Sequence, residues 1–251
     1  MSVEPVVTLT LVLVAAFFAG ALNAVAGGGS FLTLPALVFA GIPPVAANAT
    51  GTLALLPGYL ASAWGFREDI RAPRQLSLAA LVAVSLAGGS VGAILLLLTP
   101  NDVFRALAPW LLLAATALFA FGPQLVRRVN QAGEAGSLAT ILGLLAVTVY
   151  GGYFNGGLGI LLLALFSLLG QSSINLMNGL KNLVSAVLTA IAVTLYAWGG
   201  AIVWSKALTM MVAATAGGYL GARLARRLPA QWVRRTIILT GLVMAGLFFA
   251  G

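Results

Sequence analysis

Long apolar runs, broken by short polar or glycine-rich stretches, fill most of the chain. A bilayer core about 30 Å thick needs roughly 20 residues at about 1.5 Å each. Eight runs approach that length: Val6–Ala26, Val45–Phe66, Leu76–Leu98, Val103–Phe121, Leu138–Tyr153, Ile174–Trp198, Ala207–Leu224 and Val233–Ala250. Each predicts a membrane helix. Phe31–Ala40 and Ile160–Leu169 are only about half as long, too short to span. Each follows a glycine cluster, Gly27-Gly28-Gly29 in one case and Gly156-Gly157-Leu158-Gly159 in the other. Short, glycine-interrupted segments in matching places are the sequence mark of a transport site.

The two halves resemble each other. Asn48-Ala49-Thr50-Gly51-Thr52 precedes Asn178-Gly179-Leu180-Lys181-Asn182 by 130 residues, the offset that also separates Gly29 from Gly159. Gly89 and Gly92 precede Gly218 and Gly221 by 129, as Pro100 and Arg105 precede Pro229 and Arg234. A constant offset predicts an internal repeat. Charge predicts how the copies are arranged. Arg67–Arg74 holds three Arg, and its counterpart Gly199–Lys206 holds one Lys. Pro100–Arg105 holds one Arg, and its counterpart Arg223–Arg235 holds five. Because the positive excess changes places, equivalent loops should face opposite sides, which predicts inverted repeats. Residues 1–123 and 138–251 are the expected copies, joined by a cytoplasmic linker at 124–137 that carries Arg127 and Arg128. Both termini are expected outside. Two half-segment hairpins and six full crossings satisfy that arrangement.

Composition agrees. Of 251 residues, 61% are hydrophobic and 13 Lys/Arg and 5 Asp/Glu carry all the charge. Water-soluble domains are about 25% charged, so a soluble enzyme, a disordered chain and a nucleic-acid binder are excluded. The net charge of +8 is sparse and lies between apolar runs, as positive-inside topology requires. Val6–Ala26 has no Lys or Arg before it, so it is expected to be a retained span and not a secretory signal. With no Cys and no His, neither a disulfide framework, thiolate chemistry nor a Cys/His metal site is available, and no cofactor is expected.

The five acids, Glu4, Glu68, Asp69, Asp102 and Glu134, all fall in termini or loops. A carboxylate pair for acid–base catalysis is therefore missing from the spans, as is a carboxylate proton relay. Lys181 is the one cation inside an apolar run. A lysine there is costly, about 2.5 kcal/mol or more at a helix centre, and marks function unless it snorkels to an interface. Its positive charge, with no acid in the spans, points to an anionic substrate. Asn178 and Asn182 share a helical face near it, and Asn48 and Thr52 share one in the first half, with Thr50 beside them. These groups suit either substrate hydrogen bonds or helix–helix bonds. The sequence Asn23-Ala-Val-Ala-Gly27-Gly28-Gly29-Ser30 allows a buried turn, with Ser30 expected to cap the next helix. Asn155, Gly157 and Gly159 are placed to do the same from the other half. Helix N-termini at such turns favour anions. Gly88, Gly92, Gly217 and Gly221 lie inside long runs and are assigned to close helix packing. Trp64, Trp198, Trp204 and Trp232 lie near span ends, as interfacial aromatics do.

The order Gly27-Gly28-Gly29-Ser30, Gly41-Ile42-Pro43-Pro44, Asn48-Ala49-Thr50-Gly51-Thr52, Gly156-Gly157-Leu158-Gly159, Asn178-Gly179-Leu180-Lys181-Asn182 and Gly217-Gly218-Tyr219-Leu220-Gly221 resembles the TauE/SafE sulfite-exporter (TSUP) family over nearly the whole chain. The resemblance implies a bacterial or archaeal cytoplasmic-membrane permease, built of two inverted repeats, for sulfite, organosulfonates or other small organic anions. The expected fold is all-α and polytopic, with roughly 8–10 helical segments and short re-entrant half-helices. The candidate binding residues are Asn23, Gly28, Gly29, Ser30, Asn48, Thr50, Thr52, Asn155, Gly157, Gly159, Asn178, Lys181 and Asn182. The expected partners are a small anion and the lipid bilayer, with no nucleic acid. A channel-like or uniport mode, an intramembrane enzyme using Ser and Lys181, and a structural membrane subunit stay open at this level. Substrate identity, direction, coupling and oligomeric state are not encoded in any motif.

Overall fold

The computed structural model describes residues 5–129, 136–171, 173–225 and 230–250. Glu4, Glu134, Ser172, Arg226, Arg227 and Pro229 lie outside them. Among the described residues there are ten helices and no strand: α1 (Pro5–Ala26), α2 (Ser30–Phe39), α3 (Pro44–Gly65), α4 (Leu78–Leu98), α5 (Asn101–Val129), α6 (Ser137–Tyr153), α7 (Leu158–Leu168), α8 (Ile174–Trp198), α9 (Trp204–Ala225) and α10 (Ala230–Ala250). Each apolar run of the sequence is a helix, because backbone N–H and C=O groups in lipid must be satisfied within the segment. The protein is an all-α polytopic membrane protein. By length and hydropathy, the stretches Val6–Ala24, Leu78–Leu98 and Asn175–Trp198 are each sufficient to cross a bilayer. Of the other long helices, α3 carries Asn48, Thr50 and Thr52, α6 has 17 residues, and α5, α9 and α10 take charged residues into their ends. Helix α5 runs on through residues 124–129, where the sequence suggests linker.

Local chemistry sets the helix ends. Pro43 and Pro44 open α3, where a proline's missing N–H and fixed φ do no harm. The side chain of Ser77 caps α4 by accepting from the Ala80 amide, and that of Ser173 caps α8 through the Leu176 amide. The short helices α2 and α7 end alike. Gly41 (φ +82°) and Gly170 (φ +75°) take the left-handed conformation, and the amides of Ile42 and Gln171 return to the carbonyls of Leu37 and Phe166. At 10 and 11 residues, α2 and α7 are about 15–17 Å long, roughly half the bilayer core.

Helix α1 packs on α9, and α6 packs on α4. Helix α3 packs on α8, and α5 on α10. The α4–α8 contact is matched by α9–α3, and the α2–α3 contact by α7–α8. Exchanging α1–α5 with α6–α10 turns α1–α9 into α6–α4, α4–α8 into α9–α3 and α2–α3 into α7–α8, and leaves α3–α8 and α5–α10 as they are. The closest approaches use glycine. A Cβ at Gly88 would run into Thr148, one at Gly92 into the Val149 carbonyl, one at Gly20 into the Ala214 carbonyl and one at Gly217 into the Phe17 carbonyl. With no water to expel between helices in lipid, small residues allow the contact that dispersion needs. The outer surface is apolar, with Phe18, Leu60, Leu142, Val212 and Leu247 exposed. Trp64, Trp198 and Trp204 are exposed near helix ends, Trp198 at 87%. Trp110 lies against Phe249 across α5 and α10, ring centroids 5.2 Å apart.

Candidate functional site

The interior is also mostly apolar, but a set of polar residues is buried within it. Asn23, Ser30, Thr33, Asn48, Thr50, Thr52, Asn155, Lys181, Asn182, Ser185 and Thr189 are all buried. They come from both halves of the chain and from the elements nearest the two glycine turns. The turns themselves meet. Gly27 has φ +78°, and a Cβ there would lie 2.5 Å from the Gly159 Cα. Gly29 sits against the Ala19 carbonyl and Leu55, and Gly157 (φ +73°) faces Ala115 and Phe31. Gly28 is buried as well. Irregular backbone at this depth is tolerated only where protein or a polar cavity surrounds it.

Asn155, in the second turn, is the one non-glycine residue with positive φ, +59°, among the described residues. Asparagine tolerates that region better than other side chains. Its Oδ1 accepts from the Tyr59 hydroxyl of α3 at 3.3 Å, and Asn23 of α1 approaches the same hydroxyl. Asn48 donates through Nδ2 to the Tyr153 carbonyl at 3.0 Å, which leaves its Oδ1 turned elsewhere with no partner. The Tyr153 hydroxyl donates to Thr99 Oγ1 at 3.3 Å, and the Tyr196 hydroxyl donates to the Gly152 carbonyl. Thr99 borders a cavity of about 310 Å³ formed with Pro43, Val45, Pro100, Asn101 and Gly199, where the loops at one end of the bundle converge. A larger groove, about 550 Å³, runs between α1, α2 and α10. Its walls are apolar, and none of the candidate residues lines it.

One expectation from sequence takes a different form. Ser30 does not cap α2; the cap position is Gly29, and the Ser30 Oγ is buried without a partner. Thr50 stands off the face that Asn48 and Thr52 share, as its spacing implies. At 100° per residue, Asn48, Thr52 and Tyr59 fall within about 40° of one another and Thr50 lies about 200° round from Asn48. Its hydroxyl instead accepts from the Val203 amide at 3.0 Å, tying α3 to the turn before α9. Asn178 is half-buried in the second turn of α8, where the adjoining Gly179 faces Phe66 and Ile70. Lys181, one turn further on, is 1% exposed. Among the described residues it has neither a hydrogen-bond partner nor an ion pair.

Buried polar atoms without partners single out the centre. Eight of the nine such side-chain atoms among the described residues belong to Asn23, Ser30, Thr33, Asn48, Thr52, Asn155, Ser185 and Thr189. The ninth is Gln75, between α3 and α4. Elsewhere several helical hydroxyls bond the carbonyl four residues back, among them Ser85, Thr116, Thr148, Thr194 and Thr215. The central hydroxyls do not. An unsatisfied buried group costs about 1–3 kcal/mol, so a cluster of them is a place where a polar ligand gains hydrogen bonds. Thr33, Tyr59, Ser185 and Thr189 carry no motif. The available signal was spacing: Ser185 and Thr189 follow Lys181 at four-residue steps, and Tyr59 follows Thr52 by two turns.

The family model described as sulfite exporter TauE/SafE matches residues 12–248. The chain belongs to the TauE/SafE family. This TauE/SafE chain is 28% identical over 240 residues to a probable membrane transporter protein, ORF9, of a Sinorhizobium species, covering 94% of this chain and 90% of that one. It is 27% identical over 243 residues to a probable membrane transporter protein of Haemophilus influenzae, covering 94% and 92%. Against the probable membrane transporter protein YfcA of Escherichia coli K12 it is 26% identical over 231 residues, covering 92% and 85%. No solved structure matches it. The TauE/SafE chain is a membrane transporter, and the buried polar centre is its candidate binding site.

Proposed function

We propose that this transporter is a secondary permease for a small oxyanion, with sulfite and organosulfonates first among them, acting by alternating access in the bacterial cytoplasmic membrane. One observation carries the reading: Lys181 is buried, without an acidic partner among the described residues, beside polar atoms that lack partners. A lone buried cation is unfavourable in a low-dielectric interior, and an anion entering beside it offsets that penalty. The family name supplies sulfite; the relatives are named only as transporters. In this reading residues 1–123 and 138–251 are inverted repeats, segment 124–137 faces the cytoplasm, and rocking of one repeat against the other exposes the site to each side in turn. Asn178 and Asn182 orient the anion beside Lys181 at one end of α8, and Asn48 and Thr52 on α3 offer bonds toward its other end. Asn155 with the turns at Gly28–Ser30 and Gly157–Gly159, whose helix N-termini favour anions, borders the way between them. With no Asp or Glu within the apolar runs, a proton that accompanies transport travels on the substrate or through Lys181.

The test is sulfite flux into proteoliposomes. Lys181→Ala should lower it by about 10- to 100-fold, as loss of a charge-assisted hydrogen bond worth about 1.5–3 kcal/mol implies. Asn178→Ala should lower it less. Removing an unpaired buried charge does not weaken the fold, so lost flux with an unchanged melting profile is the expected result. Undiminished flux in both variants refutes the site.

A further inference from the structure

We infer that the anion moves along one face of α8, passing from Lys181 to Ser185 and Thr189, so that these two hydroxyls are substrate-contacting groups. The inference rests on the permease reading above. At 100° per residue, Asn178, Lys181, Asn182, Ser185, Thr189 and Tyr196 occupy an arc of about 100°, less than a third of the helix circumference. Lys181 and Thr189 are eight residues apart, so the hydroxyls extend the track about 12 Å along the helix axis beyond the cation. Ser185 and Thr189 are completely buried and neither hydroxyl oxygen has a partner.

Lack of a partner at full burial is what distinguishes them. Thr194, on the same helix, sends its hydroxyl to the Ala190 carbonyl at 2.8 Å. That bond is the ordinary refuge of a hydroxyl in an apolar helix. Ser185 and Thr189 have carbonyls four residues back and do not use them. A hydroxyl that forgoes this bond is free to rotate its proton toward an anionic oxygen. Helix α3 packs on α8, and its own polar face repeats the pattern. Thr52 there is also buried and unpartnered, and Tyr59, 130 residues before Thr189, closes the same stripe at the Asn155 turn. Two facing helices thus carry polar stripes through an otherwise apolar bundle. A hydroxyl ladder suits an oxyanion, whose several acceptor oxygens can be passed from one donor to the next. An anion that accepts hydrogen bonds poorly gains nothing from it.

The experiment compares radiolabelled sulfite flux in proteoliposomes for the wild type, Ser185→Ala, Thr189→Val, Thr189→Ser and Thr194→Val, with thermal unfolding of each. Ser185→Ala and Thr189→Val should each lose about tenfold in flux, the worth of one hydrogen bond to a charged group. Neither should melt lower than the wild type, because each removes an unsatisfied polar group. Thr189→Ser keeps the hydroxyl and should keep the flux, and Thr194→Val should transport as the wild type does. Wild-type flux in both Ser185→Ala and Thr189→Val overturns the path while leaving the permease standing. So does a Thr189→Ser variant as impaired as Thr189→Val, or flux that falls only in step with melting temperature. A wild type that moves no sulfite overturns the permease reading for this anion, and the path with it.

Discussion

The contact between the two glycine turns can be weighed by substitution at Gly27. An alanine there meets two penalties. Its φ of +78° places a Cβ-bearing residue in the left-handed region, at about 1–2 kcal/mol. The added Cβ would also stand 2.5 Å from the Gly159 Cα and 2.9 Å from its amide nitrogen. Those are main-chain atoms of another turn, which can yield only if the turns part, and overpacking of this kind costs about 1–3 kcal/mol. Gly27→Ala should therefore destabilise by about 2–5 kcal/mol. Gly41→Ala is the control. Gly41 has φ +82° but nothing within 4 Å of its added Cβ, so only the first penalty applies. The difference between the two variants isolates the turn-to-turn contact, at about 1–3 kcal/mol. Equilibrium unfolding in mixed micelles, with denaturing detergent as the titrant, measures both. Gly27→Ala should also transport poorly even when folded, because the turns hold Asn155 and follow directly on Asn23 at the end of α1. Equal destabilisation by the two alanines would refute the claim that the turns bear on each other.

Thr50→Val removes the acceptor for the half-buried Val203 amide and should cost about 0.5–1.5 kcal/mol in the same titration. Flux per folded molecule should stay at the wild-type level, since this hydroxyl faces away from the polar stripe; a specific transport defect would contradict that placement. At Asn155, φ +59° favours glycine over alanine. Asn155→Ala should unfold about 1–2 kcal/mol more easily than Asn155→Gly, while both lose the Tyr59 bond and transport less. Equal stability of the pair would remove the strain argument.

Much of the architecture is legible in the sequence. The run Ile174–Trp198 is α8 to the residue, and Phe31–Ala40 differs from α2 by one residue at each end. In an apolar solvent a segment has one way to satisfy its backbone, so hydropathy and helix coincide. Lys181 stood out for the same reason, because a charge in an apolar run is rare and expensive. The hydroxyls were harder. Serine and threonine are ordinary in membrane helices when they bond the preceding turn, and composition does not tell a satisfied hydroxyl from a free one. Thr50 and Thr52, two residues apart, illustrate this: one is tied to Val203 and the other has no partner.

The sequence alone determined the helices, the two half-length segments with their glycine turns, and the list of polar groups that lipid could not accommodate. Each of these follows from local solvation, which a linear pattern records. Tertiary structure decided which groups share an interior. It brought Gly27 onto Gly159 and Tyr59 onto Asn155, and it left Ser185 and Thr189 unbonded on the Lys181 face of α8. Those outcomes depend on how helices from opposite ends of the chain cross, and partner geometry at a crossing is set by packing between surfaces distant in sequence.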